Sequence, residues 1–330
     1  MRTPSILFLF IVILFSCDSK KQAPVLSSSN GRMNHVLFVI DNSHWEGVIG
    51  TKLKEIVTTP VAGLPQEENQ FSITHVPTSS FGKMFKASRN ILIVEIDTVN
   101  AVQTKRNLYA KPQQIIRVTG TSEEEIVKTL DTYKTSLIAT FKKSDIQNIQ
   151  GKIKEKSYPK DHFKTLQNLG IQLTIPNFFK LVDDTGDFLW LRQYLSGGIA
   201  KGDGRSNILV YAVPMPTNKN SLIASISKMR DSIGEIYLPG SKEGMYMITE
   251  KAFKPRVFQT KIAERTTYKT LGKWELLHDF MAGPFTNFAI EDAQNNRWIV
   301  LEGFTYAPSV AKRDYMFELE AIIRTIQFAE

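Results

Sequence analysis

A long amphipathic segment in the middle of the chain constrains the fold more than any other feature. It opens with Ser122-Glu123-Glu124-Glu125, a capping box in which a glutamate follows a serine by three residues. The apolar residues of its face are Ile126, Leu130, Tyr133, Leu137, Ile138 and Phe141, followed after a shift in phase by Ile146, Ile149 and Ile153. Their spacing predicts one helix of roughly 30 residues. Because no heptad register is sustained, we expect packing within its own domain, not a coiled coil.

Predicted strands lie on both sides of this helix. HVLFVID (35–41) and NILIVEID (90–97) are typical of buried strands, and the helical pattern between them indicates an α/β layer. Strands dominate after SYPKD (157–161), where we place the domain boundary. The sequence therefore predicts a mixed α+β fold with two sheet-containing units, at 35–156 and 157–330. The long helix is expected between the units, and a terminal helix is expected to pack on the second sheet.

The N-terminal segment predicts export. Residues 6–15 are an unbroken apolar run, which is shorter than the roughly 20 residues that span a bilayer. Arg2 precedes the run and a small residue follows it, so 1–16 has the pattern of a secretory signal peptide. Leu14-Phe15-Ser16-Cys17 resembles a bacterial lipobox, which is cut before a cysteine that receives lipid. This resemblance implies that Cys17 carries acyl chains such as palmitate, and two or more chains give a stable anchor.

Cysteine usage and the residues after Cys17 extend this prediction. Cys17 is the only cysteine, so no internal disulfide can form. Residues 17–34 are polar and lack an apolar period, which predicts a flexible tether. In related lipoproteins, the signal for export to the cell surface resembles a cluster of acidic residues just after the cysteine. In this chain Asp18 stands alone there and is followed by Lys20 and Lys21. We therefore expect an outer-membrane lipoprotein that faces the periplasm and is attached to the membrane through its N-terminal lipid.

The charge of the chain is basic, with 41 basic and 33 acidic residues and a formal net charge of +8. A basic balance can indicate nucleic acid, but an exported protein rarely meets nucleic acid and no recognition motif accompanies the charge. Two interpretations stay open. The charge serves solubility alone, or it attracts anionic lipid head groups and other envelope polyanions.

Motifs for metal, cofactor or nucleophilic chemistry are not found in the sequence. The five histidines form no HExxH or other short ligand pair, and the chain has no cysteine cluster. GxSxG is missing, and so are the elements that accompany SxxK in penicillin-binding enzymes. We therefore expect neither a metal site nor a cofactor, and we assign no catalytic residue.

The glycine-rich segment 196–206 is the first candidate for a ligand site. Its candidate residues are Gly197, Gly198, Lys201, Gly202 and Arg205. The segment fits neither GxxxxGK[ST] nor GxGxxG. It is interpreted either as a mobile loop or as a lid over a ligand, since glycine-rich loops can move over sites.

Two further residue sets have both a structural and a functional interpretation. Glu302 and Glu320 are carboxylates within apolar patterns, for which Lys312 or Arg313 could supply the partner of a structural ion pair. We prefer this ion pair to a catalytic role.

The aromatic set contains Trp45, Trp190, Trp274, Trp298, Phe285 and Tyr306. These residues are interpreted either as part of the core or as the lining of a groove that binds sugars or peptides.

Several stretches of the last third resemble a known family. They are LGKWELLHDFMAGPFTNF (271–288), NNRWIVLEGFTYAP (295–308) and KRDYMFELEAIIRTI (312–326). These stretches resemble an uncharacterised lipoprotein family of the Bacteroidota, catalogued as domain of unknown function 4837. LPQEENQFSITHV (64–76) and SRNILIVEID (88–97) resemble the first half of the same family. The resemblance implies export and lipid attachment, and it brings no reaction and no catalytic residue.

Together these observations predict a lipid-anchored cell-envelope protein that acts as a non-catalytic binding or assembly factor. Its expected partner is an envelope protein or a glycan, and no nucleic acid. The alternative is a hydrolase of envelope polymers, with an unrecognised site near the 196–206 loop.

Overall fold

The computed structural model describes residues 26–195, 204–215 and 219–329. The signal segment 1–16, the lipidation site Cys17 and the loop residues Gly197, Gly198, Lys201 and Gly202 lie outside the described residues. Among the helices that are described, none is both long enough and apolar enough to cross a membrane.

The first unit alternates strands and helices. Its strands are β1 (Ser27–Ser28), β2 (His35–Val39), β3 (Ser72–Val76), β4 (Asn90–Ile96), β5 (Ala101–Arg106), β6 (Ala110–Lys111) and β7 (Gln114–Gly120). Its helices are α1 (Asn42–Trp45), α2 (Val48–Thr58), α3 (Lys83–Lys86) and α4 (Glu123–Lys154). Five strands form one sheet in the order β3-β2-β4-β7-β5. The first four run parallel and β5 is antiparallel, so the α/β layer predicted from the strand–helix–strand order is confirmed.

Part of the predicted tether is attached to this unit. β1 pairs in parallel with β6, and Asn30 forms a bridge with Ser88. The backbone N–H of Asn34 donates to Oδ2 of Asp145 at 2.9 Å, and both residues are buried. The structure therefore differs from the predicted tether over 27–34, because these residues pair with β6, with Ser88 just before β4, and with α4.

Helix α4 belongs to both units of the molecule. It is 32 residues long, and the side chain of Ser122 accepts a hydrogen bond from the backbone N–H of Glu125, which confirms the capping prediction. Leu130 and Phe141 lie in the core of the first sheet, whereas Ile149 and Ile153 lie in the core of the second. The shift in phase along the sequence therefore marks the point where the buried face of the helix turns from one core to the other.

The second unit is built on one large antiparallel sheet. Its strands are β8 (Ile171–Gln172), β9 (Lys180–Asp184), β10 (Phe188–Tyr194), β11 (Arg205–Pro214), β12 (Met247–Thr249), β13 (Arg256–Ile262), β14 (Arg265–Leu276), β15 (Ala282–Asp292), β16 (Arg297–Tyr306) and β17 (Gln327–Phe328). Its helices are α5 (Lys164–Asn168), α6 (Lys219–Tyr237) and α7 (Arg313–Ile323). The sheet has eight strands in the order β12-β14-β15-β16-β11-β10-β9, and β13 also pairs with β14. β8 pairs with β17 separately.

Both faces of this sheet are covered by helices. Helix α7 packs on one face, where Leu319 lies so close to Gly303 that a Cβ at that glycine would come within 2.8 Å of the leucine Cβ. Helix α6 packs on the opposite face, where Ile226 joins Tyr211, Trp298 and their neighbours in a third core. Successive residues of a strand point to opposite faces, so each central strand contributes to both cores. The predicted α+β fold is confirmed, including the terminal helix packed on the second sheet.

Candidate functional site

An open groove of about 490 Å³ lies on the α6 face of the second sheet, beside the end of α6. The lining residues that matter for binding are Trp190, Arg192, Arg205, Asn207, Trp274 and Tyr306. Trp190 and Arg192 lie two residues apart on β10, and Arg205 and Asn207 lie two apart on β11. Residues with this spacing point to the same face of a sheet. The pairing of Arg192 with Asn207, and of Arg205 with Tyr306, brings these side chains together.

The polar contacts of the groove centre on Asn207. Its Oδ1 accepts a hydrogen bond from Nε1 of Trp190 at 3.0 Å and another from Nε of Arg192 at 3.2 Å. The guanidinium carbon of Arg192 lies 4.6 Å from the centre of the Trp190 ring, within the range of a cation–π contact. These three contacts hold the half-buried indole ring in one orientation.

Two hydrogen-bond donors of the lining are buried without a partner in the described structure. They are Nε of Arg205 and Nε1 of Trp274. A buried donor without an acceptor costs roughly 1–3 kcal/mol. Either donor would gain from an acceptor oxygen on a bound ligand. The Arg205 guanidinium also lies 5.9 Å from the ring centre of Tyr194, which is largely exposed.

Arg205 is the one candidate residue of the predicted 196–206 ligand loop that lies within the described residues. It lines this groove. The predicted aromatic set is divided. Trp190, Trp274 and Tyr306 line the groove, while Trp298 and Phe285 are buried in the core of the α6 face. Trp45 lies in the first unit, where it stacks on His75.

Glu302 forms a buried ion pair under α6, on the same face of the sheet as the groove, but not with the predicted cations. Its Oε1 accepts from Nε of Arg230 at 2.9 Å, and its Oε2 accepts from the amide of Asn287 at 3.0 Å. The Arg230 guanidinium lies 4.1 Å from the centre of the Phe285 ring. Burial also raises the pKa of the neighbouring Tyr211 hydroxyl, which keeps that group neutral.

Glu320 is likewise paired with cations other than the predicted ones. Its carboxylate lies 2.7 Å from Nζ of Lys269 and 2.8 Å from the guanidinium of Arg324. Lys312 and Arg313 instead donate their backbone N–H groups to Glu68, at 2.7 and 2.9 Å. The assignment of Lys312 or Arg313 as partner was wrong, because the packing of α6 and β14 brings closer cations to both carboxylates.

Sequence reasoning missed Arg192 and Asn207. The sequence does contain a signal for both, since each is a polar residue two positions from an aromatic or basic residue in an otherwise apolar strand. Within the described ranges, histidine, cysteine, aspartate and glutamate side chains nowhere gather in a group of three that could hold a metal ion.

A family model described as Domain of unknown function (DUF4837) matches residues 157–325, more than half of the 330-residue chain. The chain belongs to this family. Residues 29–154 match another family model, described as Domain of unknown function (DUF8532). The first half was expected to resemble DUF4837 as well, and a different model matches it. Neither description names an activity, and no curated protein matches this DUF4837 chain.

Solved structures similar to this DUF4837 chain are distant. The Ran-binding protein Mog1p of Saccharomyces cerevisiae is 9% identical with a TM-score of 0.33, over 49% of this chain and 91% of Mog1p. LpqN of Mycobacterium tuberculosis, described as involved in cell envelope biogenesis, is 8% identical with a TM-score of 0.30, over 48% of this chain and 83% of LpqN. Similarity at this level carries no inference about the function of the DUF4837 chain.

Proposed function

We propose that this protein is a lipid-anchored, non-catalytic binding protein of the cell envelope. In this proposal the signal segment 1–16 is removed, Cys17 carries acyl chains, and the folded units face the periplasm from the outer membrane. The lipobox-like Leu14-Phe15-Ser16-Cys17 and the presence of a single cysteine support the anchor.

The groove on the second sheet is the observation that carries the binding part of the proposal. Ligand sites are typically concave and largely apolar, with a few placed polar groups that fix orientation. Here Trp190 and Tyr306 offer ring surfaces, and Arg205 offers a donor that lacks a partner in the described structure. The apolar CH face of a sugar fits such a ring, and sugar hydroxyls accept from such donors. We therefore propose an envelope glycan as the ligand.

A hydrolase of envelope polymers is the alternative function. Glycoside hydrolysis generally uses a pair of carboxylates that flank the scissile bond. Asp279 is the one carboxylate among the described residues that line the groove. This composition favours binding over hydrolysis as the proposal.

Replacing Trp190 with alanine is expected to weaken glycan binding about tenfold, because the ring that stacks on the sugar is removed. The full chain, purified in a mild detergent, would be titrated calorimetrically with soluble peptidoglycan fragments and outer-membrane oligosaccharides. Tyr133→Ala removes an exposed aromatic ring from α4, outside the groove, and should bind as the wild type does. Equal binding by Trp190→Ala and wild type would contradict the groove assignment. Mass spectrometry of the titrated glycans would detect cleavage, which would favour the hydrolase.

Replacing Cys17 with alanine is expected to release the protein from membranes, because no acyl chain can then be attached. The variant should keep the wild-type circular dichroism spectrum, since the described units lie outside this segment. Cell fractions would be separated without detergent and compared with those of Ser19→Ala, which leaves the cysteine in place. Retention of Cys17→Ala in the membrane pellet, at the level of the control, would rule out the lipid anchor.

A further inference from the structure

A second cleft, of about 580 Å³, lies between the two units. Its walls come from α4 and the segment 61–70 of the first unit, and from β14, β15 and α7 of the second. Clefts at the junction of two structural units are frequent ligand sites, because a ligand there contacts both walls at once. This cleft is separate from the groove, and the two share no lining residue.

Positive charge dominates the lining of this inter-unit cleft. Five cationic side chains line it, while Glu320 is the one carboxylate among its described lining residues. The cations are Lys142, Lys143, Lys269, Arg313 and Arg324. A cleft lined by one sign of charge focuses the electrostatic field and concentrates ligands of the opposite sign.

Lys142 is a half-buried cation of this lining whose charge no described carboxylate balances within ion-pair distance. Its ammonium group donates to the side-chain oxygen of Gln70. Burial, the largest cause, and the positive charges of Lys269 and Arg313 together lower the pKa of Lys142 to about 8, against the opposing effect of Glu320. The charged form of this side chain would therefore gain from a bound anion.

Three of the remaining cations are held at the walls by fixed contacts. Lys269 and Arg324 share the carboxylate of Glu320, so one negative charge balances two positive charges. Arg313 pairs with Asp314 at 2.8 Å and also donates to the backbone carbonyl of Asn69 at 2.9 Å. Positive charge therefore remains in surplus on both sides of the cleft.

The rest of the lining is largely apolar. It includes Leu64, Ile146, Leu271, Met316 and Phe317. A bare inorganic ion would leave these side chains in contact with water, whereas an anion with a carbon skeleton would cover them. A phosphate monoester carries about −1.5 to −2 charges at pH 7, so one such group balances more than one lysine. We propose that the inter-unit cleft binds an organic anion that carries a phosphate group.

Calorimetric titration of the full chain in a nonionic detergent would test this site with phenyl phosphate and with inorganic phosphate. Wild type is expected to bind phenyl phosphate more tightly than inorganic phosphate. Lys142→Met should weaken binding of phenyl phosphate at least about tenfold, because a buried charge contact is lost. Lys152→Met, at an exposed position of the same helix, should stay within about twofold of wild type. No binding by wild type, or equal binding by Lys142→Met, would overturn the proposal.

Two further measurements separate loss of charge from loss of fold. Glu320→Gln removes the carboxylate of the lining and should tighten binding of phenyl phosphate, opposite to the effect of Lys142→Met. Binding at pH 8 in two buffers of different ionisation enthalpy should show uptake of a fraction of a proton by wild type, because an anion raises the pKa of Lys142. Lys142→Met should lack this uptake. Unchanged uptake in that variant would also overturn the proposal.

Vesicles identify the source of the phosphate group. Phosphatidylcholine vesicles with and without phosphatidic acid would be added to wild type saturated with phenyl phosphate. If phenyl phosphate is displaced only by the vesicles that contain phosphatidic acid, the ligand is a lipid head group. Binding of phenyl phosphate that neither kind of vesicle displaces would indicate a soluble phosphate-bearing molecule.

Discussion

Replacing Glu302 with alanine is expected to lower the free energy of unfolding by about 3–5 kcal/mol. The substitution leaves the Arg230 guanidinium buried without its carboxylate, and it removes the acceptor of the buried Asn287 amide. Arg230 would keep its weaker contacts, a 3.3 Å hydrogen bond to Thr249, a 3.9 Å approach to the carboxylate of Asp231 and its position over the Phe285 ring. A buried charge that loses its closest partner is costly, because that partner no longer offsets its desolvation.

Denaturant unfolding of the full chain at pH 7 would measure this loss. Glu243→Ala removes an exposed carboxylate of the same unit and should change stability by less than about 0.5 kcal/mol. The double variant Arg230→Met with Glu302→Leu should recover much of the loss, since neither charge is then buried. A loss below about 1 kcal/mol for Glu302→Ala would show that water or another group solvates Arg230.

Replacing Glu320 with glutamine is expected to cost about 3 kcal/mol at neutral pH and almost nothing near pH 2. Burial by itself would raise the pKa of Glu320, but Lys269 and Arg324 outweigh it and lower the pKa from 4.5 to about 2. Between these two values the unfolded chain binds a proton that the folded chain does not bind. The stabilisation from Glu320 is therefore fully present above pH 4.5 and is lost as the pH falls toward 2.

Unfolding curves of wild type and Glu320→Gln from pH 2 to pH 7 would reveal this dependence. The difference in unfolding free energy should grow as the pH rises from about 2 to 4.5 and then level off. Glu235→Gln, an exposed position on α6, should show no such growth. A difference of the same size at pH 2 and pH 7 would mean that shape or packing, and not charge, gives Glu320 its effect.

The candidate sites were only partly predictable. Arg205 is predicted from the glycine-rich loop, Trp190 and Tyr306 are predicted from the aromatic set, and all three line the groove. Their assembly with Arg192 and Asn207 depends on the antiparallel register of β10 and β11. Register is a property of the pairing of two strands, so neither strand specifies it alone.

The inter-unit cleft was not predicted at all. Lys142 lies on the long helix, whereas Lys269 and Arg324 lie more than a hundred residues further along the chain. Lysines and arginines are common on solvated faces, and nothing in their spacing marks these as neighbours. The cleft exists because the loop before β3 and the start of α7 meet, where Glu68 accepts from two backbone N–H groups of the second unit.

The sequence by itself determined the elements and their order. Helix α4 begins after its serine cap and changes cores where its apolar residues change phase, because side-chain periodicity and capping are local properties. Only the tertiary structure decided which charges pair. Glu302 pairs with Arg230 and Glu320 pairs with Lys269, whereas the sequence predicted Lys312 or Arg313 as the partner. Ion pairing depends on distance in space and on burial, and both are set by how helices and sheets pack across long stretches of chain.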